Sequence, residues 1–215
     1  MQESTGAPDF VLLTDLVPSV LLDIRYYSAF NFTGQRIPGY LQPVAILTRQ
    51  AAEAMKQVCD LVRSDGLTLK IWDAYRPQCA VDFFMAWAET EDAAMKSLFY
   101  PDLEKKDLFP RGYLARRSAH TRGSTVDLTL VDMKTQQELD MGGPFDFFGE
   151  LSHTEYPGLT PLQRENRMRL RQVMTRCGFR AISSEWWHFT LEREPFPDTC
   201  FQFPVHMNAV HTISP

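Results

Sequence analysis

What this chain of 215 residues lacks narrows its identity first. It has four cysteines, Cys59, Cys79, Cys177 and Cys200, and no two form a Cys-x-x-Cys pair, which argues against a thiolate metal cluster. Four cysteines allow three full pairings, so a disulfide is not readable and cysteine leaves the compartment open. Cys59 and Cys177 fall near the ends of predicted helices and read as small packed hydrophobes. No apolar stretch approaches the length of a membrane span. There is no dense basic run and the net charge is −5, so nucleic acid is not an expected partner. A glycine-rich phosphate loop and a Gly-x-Ser-x-Gly elbow are both missing, as are internal repeats and low-complexity segments. The opening Met1 to Pro8 is short and polar, without a signal-peptide pattern, which reads as cytoplasmic. A chain whose signal had already been removed would look the same and would be periplasmic.

What is present suits one globular enzyme domain over 1–215, with 44% hydrophobic and 23% charged residues and length enough for a full core. Val11 to Leu13 and Val20 to Tyr26 read as short strands, and 31–43, with Gly34, Pro38, Gly39 and Pro43, as a loop. Thr48 caps a predicted helix running to about Arg63, with Ala51, Met55, Val58 and Val62 as its apolar stripe and Gly66 beyond its end. Leu67 to Tyr75 reads as a strand that delivers Arg76 at its end, and Pro77 opens a helix through Ala88. Residues 89–117, charged and carrying Pro101, Pro110 and Gly112, look like an insertion: a flap over a site, or a solvated loop. A hairpin turn at Lys134-Thr135 returns through Glu138 to Met141. Thr160-Pro161-Leu162-Gln163 is a capping box that starts a helix to Cys177, stopped by Gly178. Phe179 to Ile182 and Trp186 to Leu191 are the last strands. Strands and helices mix without regular βαβ alternation, so the expected fold is α+β: an antiparallel sheet with helices packed on it.

Two stretches carry chemistry. In Arg117 to Leu130, the imidazole of His120 and the carboxylate of Asp127 are seven positions apart, split by Gly123. On one unbroken strand they would face opposite sides, but a bend or a positive φ at Gly123 can turn His120 back. In Ser183 to Leu191, His188 would supply a third ligand, completing a catalytic zinc site with an open position for water. Glu185 is then a candidate general base. Three residues before His188 on a strand it would face away, so it must lie in the preceding turn or be re-aimed by a bulge. Trp186 and Trp187 read as half core and half site wall. Alone, His120 is a hydrogen-bonded structural residue and Arg76 a salt-bridged surface one; the constellation is what favours chemistry. His153, His206 and His211 lie outside these stretches and read as non-ligands.

Ser118-x-His120-x-x-Gly123-x-x-x-Asp127, Glu185-Trp186-Trp187-His188 and Asp73-Ala74-Tyr75-Arg76-Pro77 together resemble the VanX-type D-alanyl-D-alanine dipeptidases. The likeness runs from Asp23-Ile24-Arg25-Tyr26 and Asn31-Phe32-Thr33-Gly34 through Phe201-Gln202-Phe203-Pro204. The wider family includes zinc D,D-carboxypeptidases, murein endopeptidases and the hedgehog signalling domain. The resemblance implies one zinc held by His120, Asp127 and His188, Glu185 as catalytic base and Arg76 as stabiliser of the tetrahedral intermediate. It implies Tyr26, Ser118 and Asp146 as readers of a dipeptide substrate. Asp146 could instead pin its own loop, and Ser118 could be a turn residue. The implied activity is zinc-dependent hydrolysis of D-Ala-D-Ala. The alternatives are a D,D-carboxypeptidase or murein endopeptidase, which needs a cleft open to a long chain, and a non-catalytic zinc-binding module, against which Glu185 and Arg76 argue.

Overall fold

Three segments far apart in sequence meet side by side in the sheet that carries the motifs. In the computed structural model, residues 2–4 and 9–210 are described. The strands are β1 Gln2–Ser4, β2 Phe10–Leu12, β3 Leu21–Leu22, β4 Ile46–Thr48, β5 Leu67–Asp73, β6 Thr125–Asp132, β7 Phe179–Ala181, β8 His188–Leu191 and β9 Thr199–Phe201. The helices are α1 Leu13–Leu16, α2 Arg49–Arg63, α3 Gln78–Ala88, α4 Lys96–Phe99, α5 Lys105–Leu108 and α6 Pro161–Arg176. The main sheet has the order β3-β5-β6-β8-β7; β3 runs parallel to β5 and the other neighbours are antiparallel. Two small ribbons flank it: β2 antiparallel to β4, and β1 parallel to β9.

β6 is buried from Thr125 to Val131, and β5 along nearly its whole length. Cover on both faces buries the polar positions Thr68, Thr125, Asp127 and Thr129 along with the apolar ones. α2 packs against β5 and α6 against β7. Local chemistry explains these helices. Thr48 accepts from the Ala51 N–H to start α2, and Thr160 with Gln163 forms a reciprocal capping box at α6.

Several expected boundaries shift. Leu13 begins the single turn α1 and does not extend β2. The strand expected over Val20 to Tyr26 shrinks to two residues and a 3₁₀ turn, Arg25–Tyr27, because only Leu21 and Leu22 reach an open edge of β5. The return strand at Glu138 to Met141 is a bridge from Glu138 to Val131, followed by Leu139 N–H donating to Leu130. Pro77 is the cap of α3, its first helical residue being Gln78. Cys59, Cys79 and Cys177 are free thiols.

Candidate functional site

Strand register assembles the site. Asp127 on β6 lies directly opposite His188 on β8 and, on its other side, opposite Asp73 on β5. Directly opposed residues share a face, so Asp73, Asp127 and His188 form a row across three strands. The row depends on an irregularity: the β5–β6 register shifts between Ile71 and Asp73. Without that shift Trp72 would face Asp127, and Asp73 would point to the other side.

His120 reaches the row from a 3₁₀ turn, Ala119–Arg122, that ends at Gly123 with φ +77°. The left-handed residue reverses the chain, so a histidine seven positions from Asp127 meets it. A side chain at Gly123 is excluded twice over, because its Cβ would lie 2.0 Å from Cε1 of Phe10. Ser118 caps the turn by accepting from the His120 N–H at 3.3 Å.

The donor atoms of His120, Asp127 and His188 all lie within 4.8 Å of one another. His120 Nε2 is 3.2 Å from Asp127 Oδ2, His188 Nδ1 is 3.0 Å from Asp127 Oδ1, and the two ring nitrogens are 3.3 Å apart. His120 Nδ1 donates to the Ala74 carbonyl at 2.7 Å, which turns the Nε2 lone pair toward the cluster. Burial alone would raise the Asp127 carboxyl, but His120 and His188 hold it well below the usual carboxylate range. Two imidazole nitrogens and an ionised carboxylate, almost wholly buried, are a donor set that suits zinc. Among the described residues no other cluster of three such donors occurs. His206 caps the turn at Met207 by accepting from Asn208 N–H, His153 stays outside the cluster, and His211 lies outside the described residues.

Glu185 sits in the turn ahead of β8, its carbonyl accepting from His188 N–H and its Oε2 3.6 Å from His188 Nδ1. Burial pushes its carboxyl from an ordinary 4.5 up to about 7, with Asp127 adding and His188 and Arg76 opposing. Arg76 follows β5. Its Nε and Nη2 are both 2.9 Å from Asp73 Oδ2, and its guanidinium lies 4.9 Å over the Tyr26 ring. Tyr26 donates to Asp146 Oδ2 at 2.8 Å. Asp146 is on a loop with φ +60°, and burial, reinforced by Asp127, pushes its carboxyl well above the usual range. His120, Asp127, His188, Glu185, Arg76, Tyr26 and Asp146 line one cavity of about 200 Å³ with Ser118, Phe84, Phe148 and, from the segment ahead of Ser118, Tyr113, Leu114, Ala115 and Arg117.

Two groups were given no role in the sequence. Asp73 is a wholly buried hub that accepts from Arg76 and, at 2.6 Å, from the Tyr40 hydroxyl. An acid closing an apolar run three residues before Arg76 was a usable signal for it; Tyr40, on a loop, offered none. The two tryptophans are not site walls. Trp186 packs edge-on against Trp72, Trp187 packs against Phe145, both are buried, and neither lines the cavity. Trp186 N–H donates to Ser152 O and so turns the chain inward before β8.

The sequence profile of the D-Ala-D-Ala dipeptidases, within the M15 peptidases, matches residues 7–206. The chain belongs to this family. A D-alanyl-D-alanine dipeptidase of Streptomyces coelicolor is 39% identical over 92% of this chain and 98% of its own length. A dipeptidase of the same name from Enterococcus faecalis is 40% identical over 91% of this chain and 98% of its own. Among solved structures, a vancomycin-resistance D,D-pentapeptidase VanY in complex with Zn(II) aligns with TM-score 0.43 and 15% identity, over 72% of this chain and 77% of that one. This dipeptidase-family chain is a metallopeptidase on its family and donor set together.

Proposed function

We propose that this dipeptidase hydrolyses D-Ala-D-Ala with one zinc ion held by His120 Nε2, the Asp127 carboxylate and His188 Nδ1. The observation that carries the reading is the convergence of those donors beside Glu185, in the lining of one small cavity. At about 200 Å³ the cavity is smaller than the roughly 300–1,000 Å³ of drug-sized sites, which suits a dipeptide and disfavours a peptidoglycan stem. Family membership and the curated dipeptidases of similar sequence point the same way.

Bound zinc supplies Lewis acidity, lowering the pKa of a coordinated water to roughly 7 and polarising the scissile carbonyl. The side chains do the rest. Glu185, poised near neutrality, takes the proton of the attacking water and returns it to the leaving amine. Arg76 spends two N–H groups on Asp73 and presents its guanidinium to the cavity, where an oxyanion develops. Asp146, with Tyr26 on one oxygen, makes no ion pair among the described residues, Arg76 acting on it only from a distance; the substrate ammonium supplies a direct partner and lets the carboxyl ionise. Ser118, already a cap, lines the same wall.

Zinc-loaded protein incubated with D-Ala-D-Ala and, separately, with a pentapeptide stem tests the reading. Release of D-alanine from the dipeptide alone is expected. Release from the stem would make this a carboxypeptidase, and release from neither would leave a metal-binding module.

A further inference from the structure

The helix α6 carries a charge that the chemistry above does not use. Arg167 is wholly buried, and among the described residues no carboxylate lies within ion-pair distance of it. A buried cation without an anion is costly unless each N–H finds an acceptor. All of its acceptors are backbone carbonyls: Nε donates to Met141 at 2.6 Å, Nη1 to His153 at 2.6 Å and Nη2 to Leu151 at 2.9 Å. Those carbonyls lie on either side of Asp146. The planar fork therefore ties together both ends of the loop 141–153. Gln163 and Asn166, on the same face of α6, add bonds to the side chain and the carbonyl of Asp140.

We propose that Arg167 is a positioning residue for substrate recognition, fixing the Asp146 carboxylate relative to Glu185. The clamped end of the loop is stitched directly to the Glu185 segment. Trp186 N–H donates to Ser152 O at 3.0 Å, Thr154 N–H donates to Ser183 O at 2.9 Å, and the Arg167 guanidinium lies 5.6 Å from the Trp186 ring. Within the loop, the buried Ser152 hydroxyl donates to the carbonyl of Phe147, one residue after Asp146. The loop needs such bracing, since Asp146, a residue with a Cβ, holds φ +60°. There is little slack: a Cβ on Gly143 would lie 2.9 Å from Leu151 Cγ and 3.6 Å from Arg167 Nη2. An apolar side chain at 167 would take the donor from the Met141 and Leu151 carbonyls, while the His153 carbonyl would keep only the Tyr156 N–H.

This inference rests on Asp146 reading the substrate ammonium, and a double-mutant cycle separates the two. Arg167→Lys keeps the charge but loses the fork. In the full, zinc-loaded protein it is expected to lower kcat/KM for D-Ala-D-Ala at least ten-fold, chiefly through KM, with one zinc per chain retained. In an Asp146→Asn background the same change should cost less than two-fold, because the group it positions is gone. Ser152→Ala, a milder variant that keeps the clamp, should repeat the pattern at about three-fold, and it carries the cycle if Arg167→Lys does not fold. Equal losses in both backgrounds, or a loss explained by zinc content, make Arg167 purely structural and overturn the inference alone. An Asp146→Asn enzyme as active as wild type overturns the substrate reading, and the inference with it.

Discussion

Gly123→Ala measures how much of the site's geometry is stored in one backbone angle. Gly123 sits at φ +77°, and a left-handed conformation costs an L-residue about 1–2 kcal/mol. A methyl group there would also lie 2.0 Å from Cε1 and 2.3 Å from Cζ of Phe10. That ring cannot swing away, because Tyr75, Phe201 and Phe203 each pack edge-on against it at 4.9–5.6 Å. Overpacking of this kind costs about 1–3 kcal/mol. Together the two effects predict a loss of about 2–5 kcal/mol, a large share of the roughly 5–15 kcal/mol of an ordinary domain. Gly66 is the internal control: φ +74°, and nothing within 4 Å of the added carbon. Gly66→Ala should lose only the backbone share, about 1–2 kcal/mol. Urea unfolding of both variants gives the comparison, and zinc titration gives a second reading. Only Gly123→Ala should weaken zinc binding, since Gly123 N–H donates to the His120 carbonyl and sets the turn that aims the imidazole. Equal stability losses with equal zinc affinity would refute the claim that Gly123 aims His120.

Other outcomes follow from the side chains. Glu185→Gln keeps shape but cannot accept a proton, so activity should fall ~10²–10⁴-fold at unchanged zinc content; loss of zinc would instead make Glu185 a ligand. Arg76→Lys loses the fork on Asp73 and should cost kcat about 10²–10³-fold, read in steady-state kinetics, with zinc affinity intact. The metal-free protein should lose stability as pH rises from about 4.5 to 7. A carboxyl raised to about 7 holds its proton in the folded state after the unfolded chain has released it, so Glu185 alone contributes about 3 kcal/mol to that slope. Asp146, raised by burial, acts with the same sign, and His188, lowered by burial but raised on balance by Asp127, adds to the loss only above its ordinary 6.5. Thermal melts of metal-free wild type and Glu185→Gln check this: the mutant slope should be shallower, and equal slopes would remove Glu185 from the account.

Much of the fold could be read in the sequence because its signals are local. The Thr160 capping box and the Thr48 cap act within four residues, and both helices start where their caps place them. The candidate ligands were legible for a different reason: His120 and Asp127 straddle a glycine whose only useful role is a turn, and β8 follows a loop that must hold Glu185. What stayed hidden depends on partners distant in sequence. The register shift in β5 is decided by pairing with β6, so nothing within Leu67 to Asp73 announces it. Tyr40 reaches Asp73 across 33 positions, and Arg167 reaches Met141 across 26. The tryptophans misled because a residue beside a ligand was read as facing the site, whereas the turn before β8 sends both rings into the core.

The charges of this pocket argue for what must fill it. Asp127, Asp146 and Glu185 line the cavity and Asp73 lies against Arg76 beside it: four largely buried carboxyls with one largely buried guanidinium, Arg76, and two imidazoles, while Arg117 lines the cavity as an exposed side chain. Fully ionised, with neutral imidazoles, they would carry a net charge of −3, which no buried site sustains without compensation. The protein alone compensates by protonation: burial raises Asp73, Asp146 and Glu185 together, while Asp127, between two imidazoles, stays ionised. A dication beside Asp127 and an ammonium beside Asp146 would supply the three missing positive charges. Each would also make the other's carboxylates easier to ionise, so zinc should tighten binding of the substrate's amino end and the substrate should tighten zinc. The spacing between those two charges is what the Arg167 clamp holds, and a longer chain with a blocked amino terminus could supply only one of them.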